Sequence, residues 1–225
     1  MTAIASLLAA ADDASARLDD ALYALPDAAF AAAPDGGWSI RDILGHLAAW
    51  NEYFLAALAG RGGIESLGVT PEAAAAAGED GLNSALVLRW SVLPLDEVWD
   101  RYAASRAALR AAIASLEPAS LDAPFATIAP DSPFADDAPL SGWLLGVAAE
   151  HADDHIPRIM QVAAALSADA TTAAKIAELD ATAAAVAELG AHAAMQQPGE
   201  PARRDAGGWS AADHLAHLAA WNREL

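Results

Sequence analysis

The sequence predicts an all-α protein: a four-helix bundle, followed by the first two helices of a second, incomplete copy. Three observations carry this. Of 225 residues 55% are apolar, and 64 are alanine, the strongest helix former. Apolar residues recur at three- and four-residue spacing over long segments, and no segment alternates as a strand would. Residues 37–51, GWSIRDILGHLAAWN, return as 208–222, GWSAADHLAHLAAWN, with 11 of 15 positions matched at an offset of 171. Such self-similarity marks a repeated structural unit. The expected organisation is a complete bundle over 1–168 and the start of a second repeat over 169–225. We read the chain as part of a tandem-domain protein; a C-terminal helical hairpin made by partial duplication is the alternative.

The elements follow in order. Residues 2–24 read as a first helix, with Thr2 as its N-cap and leucines at 7, 8, 18, 22 and 25. Pro26 and Pro34 bracket a turn. Ser39 then caps a second helix, with Asp42 three residues on as a capping-box partner and Trp38 and Ile43 at hydrophobic-staple spacing. This helix runs from 40 to about 59 and stops at Gly60. Along it Ile43, His46, Leu47, Trp50 and Phe54 share one face. Residues 60–81 read as a loop with a short helix after Thr70-Pro71, and a further short helix is expected near 82–92. A third long helix covers 95–116, behind Pro94 and with Asp96 and Glu97 in its dipole-favoured first turn. Five prolines between 117 and 139 make a long crossover. A fourth long helix covers 140–167. A linker at 168–174 then leads to segments that repeat the first two helices. Four long helices with one long middle connection fit a four-helix bundle.

Charge and composition exclude several function classes. The net charge is −19, with Lys175 the single lysine among 12 basic residues, which opposes non-specific nucleic-acid binding and docking on an anionic membrane. There are no cysteines, so disulfides, a thiol nucleophile, thiolate zinc sites and iron–sulfur clusters are out. The N-terminus lacks the basic segment of a signal peptide, and no apolar run is long enough to span a bilayer. The expectation is a cytoplasmic protein with a small-molecule substrate and neither nucleic acid nor membrane as partner. A homodimer would be one way for the incomplete repeat to bury its helix faces.

Three histidines carry the candidate chemistry. His46 lies in the apolar stripe of the second helix. His151 and His155, in EHADDHIPRI, sit one turn apart on the fourth, in a row with Trp143 and Val147. Two imidazoles from one helix and one from a facing helix suit zinc or another first-row divalent ion and leave a position open for water or substrate. An HxxxH pair alone is read equally well as two ordinary helix histidines, and a lone His46 as a hydrogen-bonded core residue. Inward placement of all three is what raises the metal reading. Glu150 and Asp154 flank the pair as candidates to hold imidazole tautomers, or as solvated helix charge. Pro157 is expected to kink the helix beside His155. Trp50 and Trp143 are core residues that also suit a pocket near the histidines. Ala152 stands where an HExxH protease would need Glu.

The pair GWSIRDILGHLAAWNEY and, about a hundred residues later, EHADDHIPRI resembles the DinB/YfiT-like superfamily of metalloenzymes over residues 2–168 and into the second copy. That resemblance implies an antiparallel four-helix bundle with one divalent metal, zinc first and nickel or iron as alternatives. Its ligands here would be His46, His151 and His155. It further implies a transferase, isomerase or hydrolase that uses a low-molecular-weight thiol such as mycothiol, as the maleylpyruvate isomerase-like members do, on an electrophilic small molecule. A non-catalytic metal-binding or stress-response bundle is the alternative. In the second copy only His217 matches a ligand, His46. His214 is a local extra, and His192 is read as a loop residue. Arg41, Arg89 and Arg158 are the scattered cations available to a thiol's carboxylates.

Overall fold

The computed structural model describes residues 2–23 and 25–194. The side chains of 178, 182, 183 and 185–194 are outside that description, as is everything after 194. Residues 1–166 form one compact unit, the unit described below.

Helix α1 (Ala3–Tyr23) begins where the Thr2 hydroxyl accepts the Ala5 amide at 3.2 Å. It buries Leu7, Ala11, Ala14, Leu18 and Leu22, one stripe at helical spacing. After α2 (Asp27–Ala31) comes α3 (Ile40–Leu58), buried over most of its length. Its capping box is complete: the Asp42 amide donates to Ser39 Oγ at 3.2 Å, and the Ser39 amide to Asp42 Oδ2 at 3.0 Å. Two amides that a helix start leaves orphaned are thereby satisfied. The helix ends at Gly60, whose φ of 66° only glycine adopts freely.

The region read as a loop with two short helices is more regular than expected. After α4 (Gly63–Ser66), α5 runs from Pro71 to Trp90, with the Thr70 hydroxyl accepting the Ala73 amide at 3.3 Å. The alanine tract belongs to this helix. One residue, Gly78, leaves helical geometry (φ 66°, ψ 177°) and bends it. Helix α6 (Leu95–Ala114) starts behind Pro94 as the sequence predicts and buries Val98, Tyr102, Ser105, Leu109 and Ile113. The proline-rich crossover holds a 3₁₀ turn (Pro118–Asp122) and α7 (Phe125–Ile128). Its ends meet where Phe125 donates to the Ala138 carbonyl at 2.9 Å and Leu140 to that of Ala123 at 2.8 Å.

The last long segment departs from a plain helix. It comprises α8 (Leu140–Leu145), a π turn (Gly146–Glu150) and α9 (His151–Ala194). A π turn holds one extra residue, so it resets the faces on its two sides by about one residue, ~100° of rotation. The irregularity thus precedes His151, and α9 runs on through Pro157. Residues 168–174, expected as a linker, are helical, and so is His192. His214 and His217, with most of the second copy, lie outside the described residues.

Helix α3 is central, packed against α5 and α6, while α1 lies against α6, α8 and the π turn. The α3–α5 approach is tight because position 45 is glycine: a Cβ there would lie 2.7 Å from Trp90 Cβ. The described residues are all-α, with a single isolated bridge, Pro124 to Pro139. Among them no helix is long and apolar enough to cross a membrane.

Candidate metal centre

Helix α3 presents His46 inward from a core face that also holds Ile43, Leu47 and Trp50; the ring is 3% exposed. Across from it α9 begins at His151, with His155 one turn on. The Nε2 atoms of His46 and His151 are 2.7 Å apart. Ring centroids lie 4.7 Å apart for His46–His151, 5.2 Å for His46–His155 and 5.1 Å for His151–His155. One nitrogen from each ring falls within 4.8 Å of the others.

Trp38 closes one side. Its ring lies 4.8 Å from that of His46 and stacks on His155 at 6.0 Å, while Trp50 meets His46 edge-on at 6.4 Å. Trp38 is held from the far side: Arg158 Nε, on α9, donates to its carbonyl at 3.1 Å, and the same guanidinium pairs with Asp35. The turn before α3 is therefore fastened to the helix that carries two of the histidines.

Electrostatics follow from this burial. Desolvation, with repulsion from the other two rings, pushes the His46 pKa down to about 2. Desolvation and His155 push His151 down to about 4. Burial also lowers His155, against an opposing pull from Asp154. All three rings are neutral at pH 7, the state in which imidazole ligates a metal. His46 Nδ1, on the other edge of the ring from the nitrogen that meets His151, is buried without a partner among the described residues. Tetrahedral zinc, with Zn–N near 2.0–2.1 Å, would hold its nitrogens ~3.3 Å apart. The set brackets that value, between 2.7 Å for the closest pair and the 4.8 Å limit. The donor set thus fits a divalent ion by number, chemistry and spread.

Beside His151 lies a cavity of about 420 Å³, walled by Trp50, Phe54, Phe134 and Trp143. The two tryptophans expected near the histidines are both there. Glu150 and Asp154 also border it, but neither hydrogen-bonds to an imidazole among the described residues. Arg41 reaches the Leu93 carbonyl, Arg89 that of Leu67, and Arg158 Asp35; none of the three borders the cavity. The sequence did not reveal Trp38 as a wall of the site, Glu79 and Phe134 as cavity residues, or the π turn. Trp38 was legible only as a staple, and residues 79 and 134 lie in segments without periodicity.

A family model described as the DinB superfamily matches residues 10–159. No curated protein and no solved structure matches the chain.

Proposed function

The chain belongs to the DinB superfamily, and from that premise we propose that residues 2–168 form a DinB-like four-helix bundle that holds one divalent ion through His46, His151 and His155. The four long members would be α1, α3, α6 and the helix that starts at Leu140. The protein would act on an electrophilic small molecule with a low-molecular-weight thiol or water, as a transferase, isomerase or hydrolase. The observation that carries this reading is the convergence of three neutral imidazoles within 4.8 Å beside a cavity that one of them borders.

An ion held there, zinc first and nickel or iron after it, supplies Lewis acidity that lowers the pKa of a thiol or water in its open position. The chain's residues do the rest. Burial keeps the three rings neutral, so that each has one nitrogen lone pair to give. Trp38 and Trp50 exclude water from His46, and Arg158 keeps the Trp38 turn in place. The cavity seats a substrate next to His151. Three protein ligands leave a position free, whereas a structural zinc site takes four.

Elemental analysis of the full chain purified without added metal tests the reading, beside the double variant His151→Ala/His155→Ala. About one zinc, nickel or iron per chain, lost in the variant, is the expected result. A wild-type protein that takes up no divalent ion on titration overturns it. With metal present, turnover of thiol plus an electrophile separates the enzyme from a non-catalytic metal-binding module.

A further inference from the structure

The cavity beside His151 has a one-sided chemistry. Its inner walls are aromatic and apolar: Trp50, Phe54 and Val147, which are buried, and Trp143, which is half-buried. Both indole N–H groups are already committed, Trp50 to Asn83 Oδ1 at 3.0 Å and Trp143 to Asp136 Oδ1 at 2.9 Å. The tryptophans therefore offer a ligand their aromatic rings and not their donors, with one face of Trp143 already stacked on Phe125 at 4.8 Å. Among the described residues, the exposed ionisable groups that border the cavity are all carboxylates: Glu79, Asp136, Glu150 and Asp154. None of the four has an ion-pair partner among the described residues, while Arg17, Arg101, Arg106, Arg110 and Arg158 are spent on other carboxylates. The contrast is sharpest at adjacent residues: Asp153 binds Arg17 at 2.6 Å, whereas Asp154 faces the cavity unpaired. Among the described residues no lysine or arginine borders the space.

Indole and phenyl faces attract a cation through their quadrupole, and four carboxylates add a long-range field of the same preference. Among the described residues an anion would meet four like charges and no counter-charge. We propose that this cavity takes an organic cation with an apolar body, a hydrophobic amine, with its ammonium among the carboxylates and its apolar part against Trp50 and Trp143. Its volume suits a small ligand, near the lower end of small-molecule sites. The assignment rests on the reading of the three histidines as the reacting centre, because it takes the cavity beside them as the substrate's seat. It also means that a thiol or electrophile rich in carboxylates is disfavoured here.

Three probes of one skeleton test it: 3-phenylpropylamine, 3-phenylpropanol and 3-phenylpropionate, the cation, the neutral form and the anion at pH 7. Binding to the full chain is measured by calorimetry, as purified and after chelation; in the chelated protein no probe can ligate a metal. The amine is expected to bind at least tenfold more tightly than the carboxylate. Glu150→Gln/Asp154→Asn, isosteric changes at exposed positions, is expected to reduce that preference several-fold. Equal or tighter binding of the carboxylate, an unchanged preference in the variant, or no binding of any probe overturns the proposal. Metal content of the same samples keeps the two readings apart. An amine preference in a chain that never takes up metal leaves the amine site standing, no longer as a substrate's seat, and removes the metalloenzyme. A metal-loaded chain without the preference does the reverse.

Discussion

Burial sets the protonation of His46, and acid is therefore where the site is weakest. In the unfolded chain a histidine titrates near 6.5, whereas in the folded protein His46 titrates at about 2 and His151 at about 4. Between those values the unfolded state binds more protons, so stability is fully present above about pH 6.5 and declines as pH falls. Each ring held neutral contributes a loss of ~2 kcal/mol between pH 7 and 5. The metal-free protein should therefore show a urea midpoint that drops over this range, and His46→Leu a shallower drop. Equal slopes would mean that His46 takes up a proton in the folded state. His46 was legible in the sequence because Ile43, Leu47 and Trp50 fix the inward direction of its stripe; for His151 and His155 the row through Trp143 and Val147 crosses the π turn, so only their one-turn spacing was a sound signal. Trp38 as a wall was not legible, because its position over His155 depends on where Arg158 of a distant helix grips its carbonyl.

At the scale of an element, two glycines separate helix preference from packing. Alanine is favoured over glycine inside a helix by about 1 kcal/mol. At position 45, however, a Cβ would meet Trp90 Cβ at 2.7 Å and Cγ at 2.8 Å. Those atoms are attached at the backbone and cannot swing aside, and overpacking of this kind costs ~1–3 kcal/mol. Gly45→Ala is expected to lose up to about 2 kcal/mol by urea denaturation. Gly142→Ala, in α8 with nothing within 4 Å of the new atom, is expected to gain up to about 1 kcal/mol. A gain at both positions would show that α3 and α5 can move apart. The start of α3 was readable because Ser39 and Asp42 are a local signal. The path of α5 was not: its alanines have no periodicity, and one φ at Gly78 decides the bend. The π turn escaped for another reason. Apolar spacing reports which face is buried, and a backbone that takes in one extra residue changes that spacing too little to be seen in so short a run.

Across the whole molecule, charge is lopsided. The net charge is −19, and the five ion pairs among the described residues join segments distant in sequence at largely exposed sites. Exposed pairs are worth ~0–1 kcal/mol each, while surplus like charge repels throughout the compact state. Salt weakens both, and the repulsion has more to lose. The thermal midpoint at pH 7 is expected to rise as sodium chloride goes from about 0.02 to 0.3 M, over which the screening length shrinks several-fold. A fall would assign the stability to the cross-helix pairs. The three histidines add a further consequence at this scale. His46 and His151 are 105 residues apart, and the chain has no cysteine. An ion gripping both would be a reversible cross-link, doing for a disulfide-free protein what a disulfide does elsewhere. In the chain-entropy view, tying off a loop of roughly 100 residues removes ~4.7 kcal/mol of freedom from the unfolded ensemble. A chelator would then act as a reductant does on a secreted domain, lowering the stability of the whole fold by giving that freedom back to the unfolded chain.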